Sequence, residues 1–159
     1  MEHLCYYETK IGTIGIRENG KAITHLALAG EVEEGGATIG ETPLTKRAAM
    51  EFYQYLAGVA MAFTLPMEPA GTPFQKKVWQ ALCAIPYGET RSYKQIAEEI
   101  GNPKACRAVG MANHRNPIMI MIPCHRVIAA DGGLGGYGSG LPLKEKLLQL
   151  EKGAKKDLA

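Results

Sequence analysis

No stretch of this chain approaches the ~20 consecutive apolar residues that a membrane-spanning helix needs. Its opening, MEHLCYYETK, is too polar and charged for a secretory signal. A soluble protein that stays in its compartment of synthesis is expected, with no membrane partner. Cysteine is scarce: Cys5, Cys83, Cys106 and Cys124 lie far apart, with no C-x-x-C pair. That spacing argues against a disulfide scaffold and against a four-thiolate zinc site, and it fits a reducing cytoplasm. A bias toward disorder is missing too, since 46% of the 159 residues are hydrophobic and 21% charged, enough for one compact domain or two small ones.

The net charge of +2 is unevenly spread about the Pro/Gly-rich stretch Pro66 to Pro73. Residues 1–70 carry 5 Lys+Arg against 9 Asp+Glu, a balance of −4, whereas residues 71–159 carry 13 against 7, a balance of +6. Segregation of this kind points to a polyanion such as nucleic acid as the partner of the second half, although solvated faces of opposite sign would give the same arithmetic. Two domains are expected, 1–70 and 71–159.

In the first, Cys5–Lys10, Thr13–Glu18 and Ala22–Leu28 read as strands, with Asn19-Gly20 as a hairpin turn. Pro43 then opens a helix with Leu44, Ala48, Phe52 and Leu56 on one face and Gly58 as its stop. His3 and His25 have no ligand-spaced partner. In the second domain, Thr72-Pro73 starts a helix lined by Phe74, Val78, Leu82 and Ile85. The capping box from Ser92 to Gln95 opens a short helix over Tyr93–Ile100, and Asn102-Pro103 starts another running to Asn113. The pair is a helix-turn-helix candidate. The second helix combines small residues (Ala105, Ala108, Gly110, Ala112) with basic ones within it (Lys104, Arg107) and just beyond its end (His114, Arg115). Such a helix suits either close approach to DNA or tight packing against a neighbour.

Met119–Ile122 is a continuous apolar run and reads as a buried strand that delivers Cys124, His125 and Arg126 to one place. A thiolate is the nucleophilic form of cysteine, and an adjacent base or cation raises its population. Neighbours on a strand point to opposite faces, so Cys124 and His125 are expected to sit on a turn or to communicate through water. A structural buried cysteine beside a solvated His-Arg pair is the plain alternative. Asp131–Gly140 holds six glycines around Tyr137, as suits a loop close to a ligand, and it lacks the Lys-Ser/Thr ending of a phosphate loop. The last helix is expected from Pro142 to Gly153, with Leu143, Leu147 and Leu150 buried. It places Glu151 in its last turn, where the dipole disfavours a carboxylate and a specific partner is expected, a surface glutamate being the alternative.

Ile122-Pro123-Cys124-His125-Arg126-Val127 resembles the active-site signature of the O6-alkylguanine-DNA alkyltransferases, the methylated-DNA-protein-cysteine methyltransferases. The resemblance extends through Ser92-Tyr93, Arg107–Gly110, Asn116-Pro117, the glycine loop with Tyr137, and Lys144-Glu145 to Glu151. It implies a ribonuclease H-like N-terminal α/β domain, with a small antiparallel sheet and a helix, ahead of a mostly helical domain with a helix-turn-helix. It also implies repair by direct reversal: the protein flips an O6-alkylguanine (or O4-alkylthymine) out of double-stranded DNA and moves the alkyl group irreversibly to Cys124. By position, His125 acts through a water with Glu151 behind it, Tyr93 donates to the base, and Asn116 braces the active-site segment. Arg107 enters the stack through the minor groove; Ser92, Ala105, Ala108, Asn113 and Arg115 meet DNA; Val127, Tyr137, Gly138 and Ser139 join Tyr93 in the alkylguanine pocket. The implied protein is a monomer needing no cofactor, cytoplasmic and nucleoid-associated, or nuclear in a eukaryote. Some relatives bind zinc in the N-terminal domain; Cys5 and His25 alone make no ligand set here, so no metal is expected. Three rivals differ in chemistry: a damage-binding relative with an inert thiol, a cysteine hydrolase, and a plain DNA-binding regulator.

Overall fold

The structure, a computed structural model, describes residues 1–135 and 140–158, with side chains through Gly153. It is a mixed α/β chain that divides into two compact units, 1–70 with 117–119, and 71–116 with 120–159. No helix among the described residues is long and apolar enough to cross a membrane.

The first unit holds a four-stranded sheet in the order β3-β2-β1-β4, from β1 (His3–Thr9), β2 (Gly12–Glu18), β3 (Ile23–Leu28) and β4 (Thr38–Ile39). The first three strands are antiparallel; β4, a two-residue strand with no signal in the sequence, runs parallel to β1. The β2–β3 turn is longer than Asn19-Gly20 alone predicts. The Asn19 side-chain oxygen accepts from the amides of Lys21 (3.0 Å) and Ala22 (2.9 Å), so four residues separate the strands. Helix α1 (Pro43–Leu56) is capped by Thr42 and Thr45 and buries Thr45, Ala48, Ala49, Phe52 and Tyr55. The stripe is rotated slightly from the expected one, leaving Leu44 and Leu56 half-buried. Phe52, with no exposed surface, contributes about 2 to 3 kcal/mol of burial. Pro117–Met119 returns to this unit, where the Met119 amide donates to Leu26 (2.8 Å).

The second unit contains α2 (Pro73–Cys83), β5 (Arg91–Ser92), α3 (Tyr93–Glu99), α4 (Cys106–His114), β6 (Val127–Ile128) and α5 (Leu141–Leu158). Capping boxes start α2 at Thr72 and α3 at Ser92. Three expectations need correction. Pro103–Ala105 is a turn, closed by the Ala105 amide on the Asn102 carbonyl (3.0 Å), and α4 begins only at Cys106, with no side-chain cap at Ala105. Met119–Ile122 is buried but is no strand: the chain reverses there, with Ile120 at φ 72°, the only non-glycine residue at positive φ among those described. A short apolar run signals burial without specifying backbone shape. Helix α5 passes through Gly153, whose cost of roughly 1 kcal/mol relative to alanine does not break a helix flanked by good helix formers.

Candidate active site

The buried turn at 119–122 leads through Pro123 into a single 3₁₀ turn, Cys124–Arg126, whose three side chains are all buried. Cys124 and His125 therefore share a tight turn, not a strand. Two asparagines hold the backbone: Asn116 Nδ2 donates to the Ile122 carbonyl (2.8 Å) and Asn113 Nδ2 to the Cys124 carbonyl (3.3 Å). The second contact follows from the way α4 is seated. The Trp79 indole donates to the Ala112 carbonyl (2.9 Å), so Val109, Ala112 and Asn113 face inward. Asn113, grouped by sequence position with DNA-facing residues, is turned to the cysteine segment.

Immediately after the turn, β6 pairs in parallel with β5, Arg91 opposite Val127 and Ser92 opposite Ile128. This two-strand contact, absent from the sequence expectations, brings the start of α3 beside the cysteine turn. The Ser92 hydroxyl accepts from the Gln95 amide (3.0 Å), and Tyr93 follows as the first helical residue, half-buried. Two glycines border its ring. A Cβ on Gly110 would come within 3.9 Å of it, and one on Gly135 (φ +68°) within 2.8 Å of its hydroxyl.

Glu151 of α5, 1% exposed, is the hub of the site. Its Oε2 lies 2.5 Å from His125 Nε2, and Arg126 grips both oxygens, Nε to Oε1 at 2.8 Å and Nη2 to Oε2 at 3.1 Å. The Gly88 amide also donates to Oε1 (3.1 Å). Arg126 spends its remaining reach on the Ile85 carbonyl (2.8 Å). The partner expected for Glu151 is there, but the helix-dipole reason for it is not, because α5 continues beyond Gly153 and Glu151 is not in its last turn. Burial pushes the His125 pKa below its ordinary value of 6.5; Glu151 pulls it up, and Arg126 and Lys144 push it down again. His125 is thus held neutral near pH 7, the form that can accept a proton.

Lys144, which the amphipathic pattern gave no reason to bury, has no exposed surface. Its ammonium donates to the Val127 carbonyl (2.5 Å) and to the Leu134 carbonyl, joining the segment after the cysteine to the glycine loop. Burial lowers its pKa to about 8, while Cys124 acts in the opposite direction.

Among the other candidates, Val127 is fully buried beside the turn, Ala105 is half-buried at the start of α4, and Arg107, Ala108 and Arg115 are exposed. Tyr137, Gly138 and Ser139 lie outside the described residues. Cys5 and His25 lie on β1 and β3, with β2 between them, and no three His, Cys, Asp or Glu residues gather as metal ligands among the described residues.

A family profile described as the DNA-binding domain of 6-O-methylguanine DNA methyltransferase matches residues 73–153. The methylated-DNA–protein-cysteine methyltransferase of Methanosarcina barkeri is 51% identical over 91% of this chain and 94% of its own length. The constitutive protein of that name from Bacillus subtilis is 45% identical over 96% of each. Among solved structures, Mycobacterium tuberculosis OGT in complex with DNA matches with a TM-score of 0.90 and 42% identity, covering 96% of this chain and 94% of that one.

Proposed function

Because the chain belongs to the O6-methylguanine DNA methyltransferase family, we propose that it repairs double-stranded DNA by taking the alkyl group of O6-alkylguanine, or of O4-alkylthymine, onto Cys124. The observation that carries this reading is the buried turn in which Cys124 adjoins a His125 bonded to Glu151. A cysteine so enclosed cannot reach a base inside the stack, so the damaged nucleotide must be flipped toward it.

With His125 Nε2 committed to Glu151, the thiol proton passes to Nδ1, directly or through water. Glu151 fixes the ring and stabilises the imidazolium; Arg126 holds both oxygens of that carboxylate and opposes its pull on His125. The Cys124 sulfur attacks the alkyl carbon, an S–C bond forms and the C–O bond to the base breaks. Tyr93 donates to the departing purine, and the proton lost by the thiol is balanced by the one the base gains. The product is a thioether, which offers no easy return to the thiol, so each molecule acts once.

On the same reading α3 and α4 form a helix-turn-helix that lies in the minor groove. Arg107 fills the space left by the flipped base, Ser92, Ala105, Ala108 and Arg115 contact the duplex, and Asn113 and Asn116 brace the cysteine turn. Val127, Tyr137, Gly138 and Ser139 complete the pocket, and the first unit is a ribonuclease H-like domain of a monomer. Mixed with excess duplex carrying labelled O6-methylguanine, the protein should remove one methyl group per molecule and stop. Continued turnover would overturn the assignment in favour of a hydrolase.

A further inference from the structure

The outward face of α4 is not the uniformly small surface its composition suggests. Gly110 is spent against the Tyr93 ring, and Ala112 is buried with its carbonyl on Trp79. What remains exposed along the helix is Arg107, Ala108, Met111, His114 and Arg115, spacings that fall on one side of an α-helix. Met111 lies at the centre of that stripe, four residues from each arginine, and is 58% exposed. Lys104, also exposed, precedes the helix. A large apolar side chain ringed by cations is complementary to a nucleic-acid groove, where phosphates flank apolar sugar walls and base edges.

We infer that Met111 is an apolar duplex-contact residue, lying against deoxyribose and base steps of the groove while Lys104 and Arg115 meet the phosphates. The inference rests on the reading of α4 as the duplex-facing helix. The thioether is long, unbranched and polarizable, so it fits an irregular groove floor. Apolar side chains, methionine among them, are used by groove-binding proteins as wedges beside distorted steps. Removing cations weakens binding in a salt-dependent way, because each phosphate contact releases counterions. Met111 releases none, so it supplies the part of the affinity that salt does not titrate.

The test is oxidative footprinting of the full chain, using hydrogen peroxide and peptide mass mapping with and without a short unmodified duplex. Met50 of α1, 53% exposed, is the internal control. Saturating duplex should slow Met111 sulfoxide formation at least about fivefold and leave Met50 unchanged. Alongside, Met111→Ala should lose about tenfold in duplex affinity and Met111→Leu little, with the slope of affinity against salt unaltered in both. Duplex binding with Met111 still fully oxidisable, or with Met111→Ala binding like the parent, would overturn the inference and leave the repair reading standing. Failure of the parent protein to bind duplex at all would overturn both.

Discussion

At Glu151 one carboxylate serves two partners: an imidazole it must orient and a guanidinium that must not be left alone. Glu151→Gln should therefore do two things. It should slow alkyl transfer by roughly 10²-fold, as expected when a general base loses the group that orients it. It should also lower stability by about 3 kcal/mol, because Arg126 would be buried without its counter-ion. Transfer at the parent rate would show that the His125–Glu151 contact is structural only. Lys144 gives a different residue-scale expectation. Its pKa is about 8 in the folded protein against an ordinary 10.5, so between those values the unfolded chain binds more protons. Stability should accordingly rise with pH across that window through this group, and Lys144→Met should flatten the rise. Denaturant melts of both proteins from pH 7 to pH 10 would check it; parallel curves would contradict it.

At the scale of elements, the 3₁₀ turn, the β5–β6 pair and the first turn of α3 make one assembly around the cysteine. The slot that holds Tyr93 depends on Gly135, which combines a φ of +68° with a Cβ position 2.8 Å from the Tyr93 hydroxyl. Gly135→Ala adds about 1 to 2 kcal/mol of backbone strain and pushes the ring or the loop aside. Reaction with O6-benzylguanine should slow at least tenfold while folding is retained, and an unchanged rate would show that Tyr93 need not keep this position. Helices α2 and α3 were legible because their caps and stripes are local: Thr72, Ser92 and the buried Val78 and Leu82 follow from sequence alone. The cysteine turn was not, because Ile120 sits in a backbone region that β-branched residues avoid and only the surrounding packing can hold it. Lys144 escaped for a similar reason. Amphipathic reasoning puts lysine on the wet face, and the carbonyls that hold it inside belong to distant segments.

At the scale of the whole molecule, charge and chemistry fall in the same half of the chain. Residues 71–159 carry a balance of +6, and they hold the cysteine turn, its histidine and its glutamate. The ordered cysteine motif was readable because it is long and distinctive; the inward turn of Asn113 was not, since helical position alone does not say which face α4 packs. The central claim is that Cys124 is itself the acceptor. Intact-protein mass spectrometry with peptide mapping, after incubation with O6-benzylguanine or an O6-methylguanine duplex, tests it directly on the native chain and on Cys124→Ala. One alkyl group per molecule, located on Cys124 and missing from the variant, is the expected result. Tight binding to alkylated DNA with no adduct on Cys124, or an adduct that persists in Cys124→Ala, would contradict it.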